Sequence, residues 1–325
     1  MEDQYKLGDY TLSREQMELA LYFGYTASDL EIFKNFKDIS AKPEKGFVVD
    51  IMGIRTRISS LVEAHRTLDG QLLGYPIPCD FHSEAIEWIG LARGVMDARK
   101  TFVAMELGAG IGTWVISGAV MARLCNIQNI RLTAVEADPY HFRCMQQHFK
   151  DNGFNPNKHA LLEAVVGAEA GIAYWPMLAN SSEDWGLRPI FKKDNVLDSG
   201  PENNSSVQDY RGFKFDSMRK VTVVAVTDLL RQEPQWDIVH IDVQGDESTI
   251  CRAAISELGS RVKRMIIATH SRKHDGAIFE LFADAGWILE HEKPTRFRFW
   301  PKHASLEAMT THDGTQVWRN PALCD

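Results

Sequence analysis

Long apolar runs are missing from this sequence. The longest uncharged stretch, Leu107 to Ala122, is shorter than the roughly 20 residues a helix needs to cross a bilayer, and it opens on three glycines. No membrane span is expected. The first residues, Met-Glu-Asp-Gln-Tyr-Lys, are charged and lack the apolar centre of a secretory signal, so a cytoplasmic location is expected. Cysteine is scarce: Cys79, Cys125, Cys144, Cys251 and Cys324 are odd in number and far apart. Without a C-x-x-C pair, neither a zinc site nor a disulfide framework is indicated, and reduced thiols are expected. Basic clusters are also absent. The net charge is −8, and Lys100 and the Lys192-Lys193 pair are too isolated to form a stripe. Such a surface repels phosphate backbones, which argues against a nucleic-acid partner.

What is present is core material and a regular alternation. Eight Trp and sixteen Phe in 325 residues exclude wholesale disorder, and the length suits one large domain, or one domain with an appendage. Residues 1–80 are irregular. Ser13 to Lys37 reads as helical, Gly46 to Met52 as a strand, and Gly74 to Pro78 as a proline-bound loop. This segment is expected to be an N-terminal cap or appendage. From Ser83 to Arg99 an amphipathic helix is expected, with Ile86, Ile89, Val95 and Met96 on one side. Strands are then expected at Thr101–Leu107, Ile130–Glu136, Ala160–Val166, Val221–Val226, Trp236–Val243 and Lys263–Thr269. Helices fall between most of them, one capped by Asp138 with Pro139 at its first position. A closing pair, Trp287–Glu290 and Gln316–Trp318, is joined by a loop and should be antiparallel. This alternation predicts an α/β, Rossmann-like fold over residues 81–325, with a mostly parallel, doubly wound sheet. The polar stretch 176–220 reads as an insertion, either a lid or a disordered loop.

Gly108-Ala109-Gly110-Ile111-Gly112 lies between an expected strand and an expected helix. Glycines permit a tight turn and let a ligand approach backbone amides. The spacing is G-x-G-x-G, whereas dinucleotide oxidoreductases use G-x-G-x-x-G. Val135-Glu136-Ala137-Asp138 places Glu136 at the carboxyl end of the next strand. A carboxylate there can accept both hydroxyls of a ribose. Glu106, just before the turn, reads either as a partner of the helix dipole or as a clamp beneath the turn.

With Glu106-Leu107-Gly108-Ala109-Gly110-Ile111-Gly112, Val135-Glu136-Ala137-Asp138-Pro139 and His240-Ile241-Asp242-Val243-Gln244-Gly245-Asp246-Glu247, the chain resembles the FkbM-type S-adenosylmethionine-dependent methyltransferases. The likeness runs from Asp80 to Pro321, with Thr269-His270-Ser271 and Gly286-Trp287 following at similar positions. It implies methylation of a hydroxyl on a sugar, a glycan or a polyketide-type natural product. It also implies a donor site that includes Glu106, Gly108, Ala109, Gly110, Gly112, Glu136, Ala137 and Asp242. Two departures are visible. The turn is Gly-Ala-Gly where many members have Gly-Ala-Asn, and the first 80 residues match no pattern.

Ligands of open α/β sheets bind outside the carboxyl ends of the strands. Asp242 and His270 stand at two successive such ends, with Glu247 on the following turn, so these three are the candidate catalytic residues. An alcohol must lose its proton during methyl transfer, which calls for a base or a metal ion. His270 suits the base by its ordinary pKa. A divalent ion such as magnesium on Asp242 and a neighbouring carboxylate is the alternative, though no compact ligand motif supports it. Glu247 also reads as a helix-dipole partner, and His240 as a buried, hydrogen-bonded histidine. Two rival functions are an NAD-dependent oxidoreductase and a binding module without chemistry. The first would want a third glycine one residue later in the turn and a Tyr-x-x-x-Lys pair. Tyr140 and Tyr174 begin none, and that spacing occurs only within the polar insertion, at Tyr210-Arg211-Gly212-Phe213-Lys214. The expected partner is a small-molecule or glycan acceptor, and a homodimer is compatible with the sequence.

Overall fold

A computed structural model describes residues 4–7, 10–13, 24–178, 184–191, 211, 215, 217–300, 302–303 and 305–324. Strands β1 (Gln4–Leu7) and β2 (Tyr10–Ser13) form a hairpin, as do β3 (Phe47–Val49) and β4 (Arg55–Arg57). The expected helix from Ser13 to Lys37 needs correction. Ser13 ends β2, residues 14–23 lie outside the described residues, and Asp29–Phe36 is a 3-10 helix. Its buried residues Leu30, Phe33 and Phe36 recur every third position, which is the period of a 3-10 turn.

Helix α1 (Ala85–Asp97) leads into the sheet, although Met96 on it is 48% exposed. Then follow β5 (Thr101–Leu107), α2 (Thr113–Leu124), β6 (Asn129–Glu136), α3 (Pro139–Asp151) and β7 (Ala160–Glu163). Asp138 caps α3 by accepting from the Tyr140 and His141 amides, as its position before Pro139 predicts. Next come β8 (Val165–Gly167), β9 (Gly171–Met177), β10 (Ile190–Phe191), β11 (Ser217–Ala225) and the short α4 (Val226–Leu230). The chain ends with β12 (Trp236–Ile241), α5 (Glu247–Arg261), β13 (Val262–Thr269), α6 (Arg272–Asp284), β14 (Ile288–Lys293), β15 (Arg296–Phe297), β16 (Thr310–His312) and β17 (Gly314–Arg319).

The central sheet has seven strands in the order β14-β17-β13-β12-β5-β6-β7. β17 pairs antiparallel with both β13 and β14, while the ladders from β13 through β12, β5 and β6 to β7 are parallel. This is a Rossmann-like, doubly wound α/β fold closed by one antiparallel strand. Its inner strands are buried runs such as Phe102–Leu107 and Trp236–Ile241, as a sheet covered on both faces requires.

The expected strand Ala160–Val166 divides in two. The Ala164 amide donates to the Glu136 carbonyl at 3.0 Å and ends the central pairing, after which Val165 pairs with Val223 of β11. Val221–Val226, expected in the parallel sheet, belongs largely to β11 in a separate four-stranded sheet, ordered β10-β9-β11-β8. Of the 176–220 insertion, residues 179–183, 192–210, 212–214 and 216 lie outside the described residues. The N-terminal segment has its apolar residues in the main core: Leu30, Phe33, Phe36, Met52 and Ile54 share one cluster with Trp88, Ala92, Phe102 and Val115. None of the five cysteines is paired. No helix among the described residues is long and apolar enough to cross a membrane.

Candidate active site

Strand order reverses between β5 and β12, and the crevice at such a point is where open α/β sheets bind ligands. A cavity of about 340 Å³ lies there, a volume in the range of small-molecule sites. Its wall is built first by the turn after β5. Gly108 has φ +75°, and a Cβ there would lie 1.7 Å from the Asp242 carbonyl oxygen, so only glycine lets β5 and β12 approach this closely. The Gly108 and Ala109 amides are held by the Val135 carbonyl at 3.0 and 2.9 Å, which aims the next amide, Gly110, at Glu136.

Glu136 is 6% exposed and accepts from the Gly110 amide at 2.7 Å and from the Asp138 amide at 2.6 Å. Burial pushes its carboxyl up to about 8, against the pull of those amides. Glu106 is buried too, and accepts from the Trp114 and Val115 amides at 3.1 and 2.9 Å. It therefore completes the amino end of α2 from below the glycine turn. Burial raises Glu106 to about 7, even with His240 beside it.

Of the residues expected to bind a donor, Glu106, Gly108, Ala109, Gly110, Glu136, Ala137 and Asp242 all border this cavity. Gly112 does not. It begins α2 at φ +74°, where a Cβ would press on Met145. The wall carries seven carboxyl groups, Glu106, Glu136, Asp138, Asp184, Asp242, Asp246 and Asp313. Among the described residues no Lys or Arg lines it.

The expected catalytic residues meet, but only Asp242 borders the cavity. His270 is 4% exposed, with Nδ1 at 2.7 Å from Glu247 Oε1 and Nε2 at 3.1 Å from Asp242 Oδ1. Burial alone would lower its pKa, yet Glu247 and Asp242 hold it well above the ordinary histidine range. The same contacts keep both carboxylates below their usual range against the cost of burial. Glu247 Oε1 also accepts the Gly245 amide at 2.8 Å, and Gln244 Nε2 donates to Asp242 Oδ1 at 3.0 Å. Asp242, Glu247 and His270 offer three donor atoms within 4.8 Å of one another. In this geometry the imidazole lies against both carboxylates, so a divalent ion held by the three would take the place of the imidazole proton.

Several lining residues carried no sequence signal. Asp313 stands just before β17 in no motif, with its carboxylate 3.9 Å from His270 Nε2. Trp185, Leu187 and Pro189 come from the insertion, and Leu61, Val62, His65, Phe81 and His82 from the N-terminal segment. Trp185 stacks on His141 at 4.2 Å beside Gly110. Arg188 reaches over Gly245 and pairs with Glu307 at 2.7 Å.

No family model matches the chain. A curated protein of Jannaschia sp. (strain CCS1), named "Putative methyltransferase", is 28% identical over 290 residues, covering 89% of this chain and 98% of that protein. Among solved structures, precorrin-6y C5,15-methyltransferase from Geobacter metallireducens GS-15 aligns at 12% identity with a TM-score of 0.37, over 73% of this chain and 88% of that one. Magnesium protoporphyrin IX methyltransferase from Synechocystis PCC 6803 aligns at 12% identity with a TM-score of 0.36, over 73% and 78%. Likenesses at this level assign no activity, and the fold rests on the strand order given above.

Proposed function

We propose that the chain is an S-adenosylmethionine-dependent methyltransferase whose acceptor is a hydroxyl on a neutral or cationic small molecule or glycan, of the sugar or polyketide kind. The observation that carries this is the make-up of the cavity wall: seven carboxyl groups, of which burial raises Glu106 and Glu136, and, among the described residues, no Lys or Arg. That wall suits a donor bearing a sulfonium cation and disfavours a dinucleotide, whose two phosphates would face carboxylates without a counter-charge. The relative from Jannaschia, matched over nearly its whole length, agrees with the reading. The FkbM-type likeness adds the hydroxyl acceptor.

When bound, the donor supplies an electrophilic methyl on sulfur. The protein's own residues supply the placement. Glu136 accepts the ribose hydroxyls at the end of β6. Glu106 acts through the turn that it holds, near the amino-acid end of the donor. Asp242 orients the acceptor. His270 and Glu247 keep Asp242 in place, and His270, bonded to Glu247 and set back from the cavity lining, is poorly suited to take up the acceptor's proton. The N-terminal segment and the insertion both reach the cavity, which supports their covering the acceptor side.

A thermal-shift series tests the reading. S-Adenosylmethionine and S-adenosylhomocysteine should each stabilise the protein, by about 2.7 kcal/mol at a hundredfold excess over Kd. NAD should not. Stabilisation by NAD alone would overturn the proposal.

A further inference from the structure

His240 borders the same cavity with one ring nitrogen committed and the other left without a partner among the described residues. It lies in β12 beside Glu106 of β5 and is 1% exposed. Its Nε2 is 3.1 Å from Glu87 Oε2 on α1. Glu87 is itself held in place: Ser83 Oγ and Thr315 Oγ1 both donate to its Oε1, the second at 3.0 Å. A carboxylate already taking two donors on one oxygen wants a third on the other, so Nε2 carries the hydrogen of that bond. Trp114 stacks on the ring at 5.1 Å and 28°, which keeps its plane. Nδ1 is then a bare lone pair, buried and without a partner among the described residues, on a side chain that lines the cavity. Buried polar atoms are rarely left so in a finished protein, and a ligand hydroxyl is the missing partner this position suits.

We infer that His240 Nδ1 takes the proton of the acceptor hydroxyl, with Glu87 as the residue that positions it. The inference rests on the methyltransferase reading. In the step, the acceptor oxygen bonds to the donor's methyl carbon as the C–S bond breaks, and that electron pair stays on sulfur. The hydroxyl proton passes to Nδ1, leaving an imidazolium paired with Glu87, which later releases the proton to solvent. The groups facing the ring are Glu87 from α1, Glu106 from β5 and Asp242 after β12. Burial alone would lower the proton affinity of His240, and these three carboxyls together raise it above the ordinary value. His270 Nε2, 3.1 Å from Asp242, also lacks a hydrogen-bond partner among the described residues, but His270 does not line the cavity and His240 does.

The full-length protein with S-adenosylhomocysteine bound allows the first test. NMR of labelled histidine nitrogens should show neutral His240 in the Nε2–H form, and Glu87→Gln should lower its pKa by about one unit. A ring in the Nδ1–H form would overturn the inference. The second test follows S-adenosylhomocysteine release with an acceptor found by screening neutral hydroxyl compounds. His240→Gln should bind S-adenosylmethionine within about threefold of the parent by calorimetry, while turnover falls by about 10² or more. Glu87→Gln should move the acid limb of the pH profile downward by the same amount as the NMR shift. Failure of the unaltered protein to bind the donor would sink the methyltransferase reading itself. Normal donor binding with undiminished His240→Gln turnover would sink only the His240 assignment.

Discussion

His240 and His270 sit at the carboxyl ends of neighbouring strands, both buried and both raised in pKa by carboxylates, but they are not equivalent. His270 bonds Glu247 through Nδ1 and sets Nε2 3.1 Å from Asp242 without a hydrogen bond, away from the cavity lining. His240 bonds Glu87 through one nitrogen, leaves the other without a partner among the described residues, and lines the cavity. A ring tied to a buried carboxylate and set back from the cavity holds structure. A ring with one free nitrogen can exchange a proton with a ligand. Residue type is the same in the two cases, but His240 lies within β12 and His270 just past β13, so access to the cavity decides what each can do.

The comparison is broken most directly by removing His270. His270→Ala would strand a fully buried Glu247 and the neighbouring Asp242 without their counter-charge, and should cost about 3–5 kcal/mol of stability in urea denaturation. His240→Gln keeps a donor for Glu87 and should cost about 1 kcal/mol. Equal losses would erase the distinction. The pH dependence has a definite sign. The raised His270 contributes stability fully below its unfolded value of about 6.5, and that contribution fades as pH climbs through its folded value. Asp242 and Glu247, which are lowered, contribute above their unfolded values of about 4 and lose that contribution as pH falls. Stability from this cluster is therefore greatest between the two limits, and a His270→Gln protein should lose less of it as pH climbs above about 6.5.

Much of the central sheet was legible because its strands are apolar runs that end in recognisable punctuation. Thr101–Leu107 was readable to the residue, and the glycine turn and Glu136 follow the strand ends that placed them. The four-stranded sheet was not, because β9 begins on Gly171 and contains Pro176, and so reads as loop. The N-terminal core residues were visible as apolar but not as a share of the main core, which depends on packing against α1. His240 was legible as a buried, bonded histidine. Its partner Glu87 lies 153 residues earlier, and no local pattern reveals that pairing or the nitrogen it leaves free. The carboxylates around His270 were visible as strand-end residues, and only the structure shows the expected base tied to Glu247 and set back from the cavity lining.

Glu136 sharpens the comparison at an intermediate scale, as a buried acid that lacks any cation such as His270. Because its folded value of about 8 exceeds the unfolded carboxyl range, its ionisation opposes folding as pH rises. A bound ribose offering hydroxyl donors to the carboxylate would relieve that cost. Affinity for S-adenosylhomocysteine should therefore strengthen as pH rises through about 8. Glu136→Gln should bind it about 1.5–3 kcal/mol more weakly, with little pH dependence. Calorimetry at several pH values checks both, and a flat profile in the unaltered protein would remove Glu136 from the donor site.

The smallest effect belongs to Asp313, the carboxylate nearest His270 after the two that bracket it. It lies 3.9 Å from Nε2 with 62% of its side chain exposed, where water and salt screen the pair. Asp313→Asn should change stability by no more than about 0.5 kcal/mol and leave donor affinity within about twofold. It also borders the cavity, so its charge is available to an acceptor. For a cationic acceptor the variant should raise KM several-fold with kcat nearly unchanged, the pattern of a contact made equally in the bound and transition states. For a neutral acceptor neither constant should move. A loss of stability approaching that of His270→Ala would mean that the bridging chain extends to the start of β17. His270 would then be held by three carboxylates, and the contrast with the singly held ring of His240 would widen further.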